Sequence, residues 1–271
     1  MFESLHIGFI GGGNMGEALI KGLLSASPLL PDQISIYDVS TTRMKYLEAT
    51  YKIRLSANAA DLAASSDVLI LAVKPQTMSE VLGGIQAHLS HRPLVISIAA
   101  GISLAVLSAG LPEGTPIVRV MPNTPALVLQ GASTLARGTH VTDQQMEVAL
   151  AFFQAVGKAI EVQEQWMDAV TGLSGSGPAY VLLIIESLID AGVLMGLPRQ
   201  TARELTLQTL LGTVSMVQET AKHPAALKDL ITSPGGTTIR GLQVLEDRGV
   251  RGALMEAVEA ATLRSRELGR S

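Results

Sequence analysis

Three glycines near the start of the chain have a spacing that suits the binding of a phosphate-containing ligand. Gly11, Gly13 and Gly16 match the pattern G-x-G-x-x-G. The first glycine of this pattern permits a tight turn, the second lets a pyrophosphate approach the backbone because it has no Cβ atom, and the third lets the helix pack closely on its strand. Free N–H groups at the start of that helix, with the helix dipole behind them, then stabilise the phosphates.

The elements around these glycines determine the interpretation, because the motif alone often occurs by chance. An apolar strand is predicted over residues 5–10 and a helix from about residue 14 to residue 24. A second strand, over residues 33–37, completes the βαβ unit of a dinucleotide-binding fold. We therefore expect a dinucleotide site, and the alternative is an ordinary strand-to-helix turn without a ligand.

The residues after the second strand give conflicting indications of which dinucleotide binds. Asp38 lies 22 residues after Gly16, where this fold often places the carboxylate that binds the ribose hydroxyls. A carboxylate there favours NADH and repels the 2′-phosphate of NADPH. Ser40 and Arg43 follow directly and could instead hold that phosphate, although Arg43 could equally be a solvated helix residue. The sequence leaves the preference open.

Three later strands also end in residues that suit a ligand. Lys74 follows the strand predicted over residues 68–73, at the carboxyl edge where ligands of open α/β sheets bind, although it could be a plain charged loop residue. Small residues at 97–101 follow the strand at 94–98 and would let a flat ring approach. Asn123 follows the strand at 117–120 between Pro122 and Pro125, which stiffen the loop. Asn123 is therefore a candidate fixed polar group beside the cofactor.

Composition excludes several classes of protein. The 271 residues are 47% hydrophobic and 16% charged, which indicates large buried cores and room for two domains. The net charge is −4 and no run of lysine or arginine occurs, so nucleic acid is not an expected partner. Without cysteine there is no disulfide or thiolate site. His88 and His91 have no third ligand nearby, so they are expected at the surface and no metal is expected.

One stretch imitates a membrane span. Residues 93–112 carry no charge over 20 positions, which meets the length rule for a spanning helix. A buried strand at 94–98, a turn and a short helix explain the same stretch, because serine and glycine punctuate it. The N-terminal sequence leads into a strand and offers no basic, cleavable leader. We therefore expect a soluble, cytoplasmic protein with no membrane partner.

The pattern along the chain predicts two domains. Further strands are expected near residue 53 and over 132–136 and 158–162, with helices between them, so residues 1–162 form an α/β, Rossmann-like dinucleotide-binding domain. Residues 163–271 are predicted to be all-helical, with helices over 166–172, 178–195, 198–220, 224–231, 237–248 and 250–268. The helix at 178–195 is apolar almost all round, so it must be buried. A domain of about 108 residues is too small to enclose such a helix alone. A second subunit is expected to cover it.

Two glycine turns in the helical part each open a helix. They lie at 173–180 (LSGSGPAY) and 232–238 (TSPGGTT). Free amides at a helix start suit an anion such as a substrate carboxylate, and the hydroxyls of Thr237 and Thr238 could bind a substrate nitrogen or oxygen. The alternative is that both turns are ordinary helix caps, since serine and threonine favour that role.

Taken together, the motifs resemble those of the pyrroline-5-carboxylate reductase family, which catalyses the last step of proline synthesis. The resemblance rests on IGFIGGGNMG at 7–16, AVKP at 72–75, RVMPNTP at 119–125, LSGSGPAY at 173–180 and SPGGTTI at 233–239. It runs from residue 5 to the last helix. It implies hydride transfer from C4 of NADPH, or alternatively NADH, to C5 of the cyclic imine 1-pyrroline-5-carboxylate, at a site in a dimer that often assembles into larger rings.

The resemblance also assigns individual residues. It places the pyrophosphate on Ile10, Gly11, Gly12, Gly13, Asn14 and Met15, the adenosine end on Asp38, Ser40, Arg43 and Asn58, and the nicotinamide beside Ala72, Val73, Lys74, Pro75, Ile98, Ala99 and Ala100. It places the substrate on Glu164, Ser233, Gly236, Thr237 and Thr238. Thr238 is the residue assigned to catalysis, as the group that orients the ring nitrogen, because its hydroxyl is too weak a proton donor to be a general acid.

Two other classes share part of this pattern. The β-hydroxyacid dehydrogenases have a similar glycine-rich opening and a helical second domain, but they carry a catalytic lysine on the helix after a glycine turn, and residues 178–192 contain no lysine. A dinucleotide-binding sensor would use the fold for regulation alone. The threonine pair in the second glycine turn argues against a sensor.

Overall fold

The computed structural model describes residues 5–26 and 29–269. Eight strands form one sheet: β1 (Ile7–Ile10), β2 (Ile34–Tyr37), β3 (Arg54–Leu55), β4 (Val68–Leu71), β5 (Leu94–Ser97), β6 (Ile117–Met121), β7 (Gly131–Arg137) and β8 (Gly157–Glu161). Each lies within about two residues of a predicted strand. β1 and β4 are each two residues shorter than predicted, and because β4 ends at Leu71 the AVKP motif lies outside the strand.

The helices also follow the prediction closely. Those among the strands are α1 (Asn14–Ala26), α2 (Thr41–Tyr51), α3 (Ala59–Ser65), α4 (Met78–Ile85), α5 (Leu104–Ala109) and α6 (Asp143–Gln154). After them come α7 (Met167–Val170), α8 (Gly177–Leu194), α9 (Arg199–Thr220), α10 (Pro224–Leu230), α11 (Thr237–Asp247) and α12 (Val250–Leu268). Two 3-10 turns, Pro75–Thr77 and Gln86–His88, flank α4.

The sheet has the strand order β3-β2-β1-β4-β5-β6-β7-β8. The first six strands are mutually parallel, β7 runs antiparallel to β6, and β8 is parallel to β7. The chain moves from β1 to β2 and β3 on one side and then crosses to β4 on the other. This reversal beside β1 is the switch point at which open α/β sheets bind ligands, and it confirms the predicted Rossmann-like fold class.

Helices cover both faces of the sheet. The central strands β1, β4 and β5 are buried along their whole length, as expected for a parallel sheet between two helical layers. Successive side chains alternate between two apolar clusters, so that Phe9 packs with Leu19 of α1 and Phe152 of α6. Ile10 packs on the other side with Leu82 of α4. Because both faces are filled, only the edge formed by the strand ends is left for a ligand.

The described chain divides into two compact units. One contains the residues up to Ser176 together with those from Ala260 onward, and the other contains Gly177–Glu259. The first unit thus includes residues beyond the predicted boundary at 162, and two contacts within it show why: Glu164 binds Arg119, and Asp168 accepts a hydrogen bond from Ser265 at 2.7 Å. The division of function at residue 162 stays a prediction.

The second unit is helical throughout, which confirms that part of the prediction. Within it α8 and α9 approach closely, since a Cβ atom at Gly192 would lie 2.8 Å from that of Ala202. The outer faces of these helices are apolar and uncovered in the single chain: Leu182 and Leu183 are each 64% exposed and Leu211 is 63% exposed. Contiguous exposed apolar surface of this kind marks an interaction site.

Candidate active site

The glycine loop between β1 and α1 has the backbone that the motif predicts. Gly11 has a φ of +100°, and a Cβ atom there would lie 2.5 Å from the carbonyl oxygen of Ala72. Its N–H donates to the carbonyl of Tyr37 at 2.8 Å, which holds the turn against β2. Only glycine fits this position without moving the backbone.

The second and third glycines differ from each other in their surroundings. A Cβ atom at Gly13 would meet nothing within 4 Å, so the space above the loop is open to a ligand. A Cβ atom at Gly16 would lie 2.7 Å from the carbonyl oxygen of Gly11 and 3.6 Å from Cβ of Ala72. Gly16 therefore lets α1 pack on the loop itself. The amides of the first turn of α1 have no acceptor within the helix and lie beside that open space.

A cleft of about 550 Å³ lies along the carboxyl ends of β1, β2 and β4, at the switch point. Its volume is within the range of ordinary small-molecule sites. The predicted cofactor residues that line it are Ile10, Gly11, Gly13, Asp38, Ala72, Val73 and Lys74. Tyr37, Val39, Ala59, Thr77, Glu80, Val81 and Gly84 also line it. Gly12, Asn14, Met15, Ser40, Arg43, Asn58, Pro75, Ile98, Ala99, Ala100 and Asn123 lie outside this lining.

Asp38 links the end of β2 to the glycine loop. Its Oδ2 accepts from the N–H of Gly12 at 2.7 Å, and its Oδ1 accepts from the N–H of Ser40 at 2.8 Å. A carboxylate oxygen can accept more than one hydrogen bond. Asp38 can therefore fix the loop and still accept from ribose hydroxyls in the cleft that it lines.

Two of the predicted adenosine residues cap helices. Ser40 is the N-cap of α2, and its Oγ accepts from the N–H of Arg43 at 3.3 Å. Asn58 is the N-cap of α3, where its Oδ1 accepts from the N–H of Asp61 and its Nδ2 donates to the Asp61 carboxylate, both at 2.8 Å. These contacts account for both side chains as helix caps, and their binding role stays a prediction.

Arg43 is held by α1 and by the glycine loop. Its Nε donates to the carbonyl oxygen of Gly12, one of its Nη atoms donates to the carboxylate of Glu17, and its guanidinium lies 5.1 Å from the centre of the Tyr46 ring. Glu17 also accepts from the hydroxyl of Tyr51 at 2.9 Å and from that of Tyr46 at 3.2 Å. Sequence analysis missed Glu17, whose only signal was an acid in the first turn of α1.

The electrostatics of this cluster follow from its contacts. Burial acts to raise the pKa of Glu17, but the hydrogen bonds from Arg43 and Tyr51 outweigh it, so the pKa lies below its ordinary value. Burial and the hydrogen bond to Glu17 raise the pKa of Tyr51 to about 12. At neutral pH Glu17 is therefore an ionised carboxylate that accepts hydrogen bonds from one guanidinium and two phenol groups.

The edge of the sheet beyond β4 presents one cation and a row of small residues. Lys74 lines the cleft, and its ammonium has no hydrogen-bond or ion-pair partner among the residues described. Ile98 is half-buried and donates its N–H to the carbonyl of Leu71 at 3.1 Å, Ala99 is buried, and Ala100 is exposed. Ala99 and Ala100 thus bring small side chains to the edge where the nicotinamide is predicted to bind.

Asn123 holds three segments of the first unit together. Its Oδ1 accepts from the N–H of Ala132 at 2.8 Å, and its Nδ2 donates to the carbonyl and hydroxyl oxygens of Ser174 at 3.2 and 3.4 Å. The loop after β6 is thereby joined to β7 and to the LSGSGPAY motif. Part of that motif is a π-helical turn, Thr171–Gly175, which leads toward α8, and it is not the open glycine turn that was predicted.

Glu164 is joined to a buried arginine. Its Oε1 accepts from Nη1 of Arg119 at 3.1 Å and from the N–H of Leu104, in the first turn of α5, at 2.6 Å. Arg119 is 8% exposed. In the part of the chain that is described, the other carboxylate oxygen of Glu164 has no partner.

The threonine turn, residues 232–238 of the second unit, leaves the hydroxyls of Thr237 and Thr238 and the first amides of α11 without partners in the described chain. Gly235 has a φ of +66°, and Gly236 is the N-cap of α11 and offers no side chain to cap the helix. Thr237 is exposed and Thr238 is half-buried, and neither hydroxyl has a partner among the residues described. Unlike an ordinary cap, this helix start keeps its first-turn amides available to an anion.

Within residues 5–26 and 29–269, no group of three or more acidic or histidine side chains is arranged to hold an ion. His91 instead contacts the carbonyl oxygen of Ser66 at 2.9 Å.

Comparison with known proteins identifies the family. Residues 164–268 match the model described as pyrroline-5-carboxylate reductase dimerisation, and residues 6–101 match that described as NADP oxidoreductase coenzyme F420-dependent. A pyrroline-5-carboxylate reductase of Synechocystis sp. is 50% identical over 98% of this chain and 99% of its own length. The chain belongs to the pyrroline-5-carboxylate reductase family.

Solved structures of pyrroline-5-carboxylate reductases agree over the whole chain. That from Coxiella burnetii is 35% identical, with a TM-score of 0.93 over 99% of this chain and 100% of its own. That from Plasmodium falciparum, which has NADP bound, is 37% identical with a TM-score of 0.91 over 99% and 100% of the two chains. The sensor and β-hydroxyacid dehydrogenase alternatives are not favoured.

Membership of the pyrroline-5-carboxylate reductase family explains the uncovered face of α8 and α9, which lies within the match to the dimerisation model. Glu164–Leu194 is, by length and composition, apolar enough to cross a membrane, and none of its most apolar window is buried in the single chain. A dimerisation helix seen without its partner has the same features. Residues 93–112, the stretch that imitated a span in the sequence, instead contain β5 and α5.

Proposed function

We propose that this chain reduces 1-pyrroline-5-carboxylate to L-proline with NADPH or NADH. The observation that carries the proposal is the pairing, in one chain, of the open glycine loop at the switch point with the uncapped threonine turn of α11. Full-length similarity to pyrroline-5-carboxylate reductases supports the substrate.

The residues of the first unit fit a dinucleotide. Gly11 has a conformation suited to glycine, and the space above Gly13 is open, as the approach of a pyrophosphate requires. In this proposal Gly11 to Met15 hold the pyrophosphate, Asp38 binds a ribose, and the segments at 72–75 and 98–100 lie beside the nicotinamide. The dinucleotide supplies a hydride when bound.

The threonine turn would hold the substrate. The amide of Thr237 suits the substrate carboxylate, with the Ser233 hydroxyl as a further donor, whereas the N–H of Gly236 donates to the carbonyl of Ser233 at 3.1 Å and would have to turn from it to join them. The Thr238 hydroxyl would hydrogen-bond to the ring nitrogen. A protonated imine is already electrophilic, so the protein needs to position it and exclude water more than to donate a proton. We assign Glu164 the further task of holding Arg119 and the start of α5, on the evidence of its contacts.

Self-association is the remaining part of the proposal. We infer a dimer, or a larger ring of dimers, in which a second copy covers α8, and a cytoplasmic location. Glu186 and Asp190 lie four residues apart within the apolar helix, and Asp190 pairs with Arg199 at 2.8 Å. Two carboxylates on one helix face oppose contact with hydrocarbon, whereas a protein partner or solvent accommodates them.

The direct test is the loss of reduced-nicotinamide absorbance with 1-pyrroline-5-carboxylate, run side by side with NADPH and NADH. We expect turnover with at least one of them. Binding of the dinucleotide without turnover would support the sensor alternative and contradict the proposal.

A matched pair of variants tests the threonine turn. Thr238→Ala is expected to lower kcat at least tenfold while the Kd of the dinucleotide changes less than twofold. Thr220→Ala is the control, because its hydroxyl contacts only the backbone at the end of α9: it donates to the carbonyl of Met216 and accepts from the N–H of Lys222. If Thr238→Ala lowered turnover and dinucleotide binding equally, the residue would be structural.

A further inference from the structure

Arg43 and its surroundings bear on a property that the proposed function leaves open, the choice between two dinucleotides. The side chain starts in the first turn of α2, close to the end of β2 where the adenosine ribose is expected. It is absent from the lining of the cleft. Its Nε and one Nη atom point instead to the carbonyl of Gly12 and to Glu17.

Glu17 is the residue that keeps Arg43 in this position. It lies in the first turn of α1, and its side chain is 19% exposed while that of Arg43 is 26% exposed. Hydrogen bonds from Tyr46 and Tyr51 fix the carboxylate, and the Tyr46 ring lies against the guanidinium. Because burial reduces screening by solvent, this ion pair is held more firmly than an exposed one.

The remaining charges of the cleft oppose an added phosphate. Its lining contains two carboxylates, Asp38 and Glu80, and one ammonium, Lys74. Asp38 is fixed at the ribose end by the amides of Gly12 and Ser40. A 2′-phosphate would therefore approach the carboxylate of Asp38, while the guanidinium of Arg43 is already paired with Glu17.

We infer that Glu17 is a specificity-determining residue: by holding Arg43 against α1, it lowers the affinity for the dinucleotide that carries a 2′-phosphate relative to the one that does not. The inference rests on the proposed use of a nicotinamide dinucleotide. For Arg43 to bind the phosphate it would have to leave Glu17, and the released carboxylate would then keep its two phenol donors but have no cation to balance its charge. Glu17 thus acts on selectivity through Arg43, without touching the ligand.

A double-mutant cycle on binding tests this inference. The Kd values of NADPH and NADH are measured by quenching of Trp166 fluorescence or by calorimetry, for the wild type, Glu17→Gln, Arg43→Ala and the double variant. In Glu17→Gln we expect the NADPH affinity to rise about tenfold relative to NADH, the effect of one charge-assisted hydrogen bond to phosphate. In the double variant that gain is lost. Glu48→Gln, which changes an exposed acid on α2, is the control.

Arg43→Ala alone keeps the test valid even if Glu17→Gln does not fold. We expect it to change the ratio of the NADPH and NADH affinities less than twofold, because Arg43 does not bind the 2′-phosphate in the wild type and its contacts with Gly12 and Glu17 affect both dinucleotides alike. A tenfold or greater fall in the NADPH affinity relative to NADH in Arg43→Ala, or an unchanged ratio in folded Glu17→Gln, would overturn the inference. The readout needs no turnover, so a failure of catalysis with intact binding would affect the proposed function alone. If neither dinucleotide bound, both would fail.

Discussion

Adding one methyl group at two positions of the glycine loop should have opposite consequences. At Gly11 the φ of +100° and the carbonyl of Ala72 only 2.5 Å from an added Cβ leave no room. At Gly13 nothing lies within 4 Å of the added atom, and φ is not in the left-handed region. Gly11→Ala therefore tests the fold of the loop, and Gly13→Ala tests the space kept for a ligand.

The expected magnitudes differ accordingly. Gly11→Ala should destabilise the fold by about 2 kcal/mol or more, from about 1–2 kcal/mol of backbone strain plus the clash. In a domain of this size that lowers Tm by roughly 4–8 °C. Gly13→Ala should leave stability within about 0.5 kcal/mol, because the poorer N-cap and the smaller entropy of the unfolded chain offset each other.

For ligand binding the order reverses. If the methyl group of Gly13→Ala removes one backbone hydrogen bond to the pyrophosphate, the loss of about 1.5–3 kcal/mol weakens dinucleotide binding about 10- to 150-fold. Calorimetric titration gives the Kd, and thermal unfolding of the same samples gives Tm. A folded Gly13→Ala protein that binds NADPH and NADH as the wild type does would refute the assignment of this loop to the pyrophosphate.

Three other changes have expected outcomes. Leu183→Glu, on the uncovered face of α8, should weaken self-association at least 100-fold. One buried leucine stabilises an interface by about 1.5–3 kcal/mol, and the new charge adds a desolvation penalty. Sedimentation at several protein concentrations measures the dissociation constant of the oligomer. Glu164→Gln should lower the free energy of unfolding by about 1–2 kcal/mol in urea, as it removes the charge that pairs with Arg119. The pKa of Tyr51, measured by stopped-flow phenolate absorbance, should be about 12 in the wild type and lower in Glu17→Gln. The folded pKa lies above the unfolded value of about 10, so the contribution of Tyr51 to stability is present below pH 10 and is lost as the pH rises to 12.

Local patterns were sufficient to predict the fold. The strands β1, β4 and β5 are short apolar runs bounded by turn residues, and glycine and proline mark most element ends, so their positions depend on neighbouring residues alone. The conformation of Gly11 and the open space at Gly13 were predictable because the G-x-G-x-x-G pattern is itself local, whereas the contacts of Gly11 with Tyr37 and Ala72 are distant in the chain.

The predictions that remained open depend on contacts between distant residues. Asn123 was predicted to be a fixed polar group beside the cofactor, but the partners that fix it, Ala132 and Ser174, lie 9 and 51 residues away and could not be identified from the loop. The LSGSGPAY motif resembled an open turn because no local pattern predicts the single π-helical turn over Thr171–Gly175. In each case the sequence identified an unusual segment correctly, whereas its role depends on what packs against it.

Cofactor preference is the clearest case of such a dependence. Asp38, Ser40 and Arg43 lie within six residues, and read alone they offer a phosphate both a repelling carboxylate and an attracting guanidinium. In the structure all three side chains make contacts within the protein: Asp38 accepts from the amide of Gly12, Ser40 caps α2, and Arg43 is paired with Glu17. A charged side chain attracts or repels a ligand strongly only when no partner in the protein already balances its charge. Glu17 lies 26 residues before Arg43 on a different helix, so the residues of the loop alone could not show whether Arg43 is available to a 2′-phosphate. Substitution of Glu17 is the change that distinguishes an Arg43 that binds the phosphate from one that is held away from it.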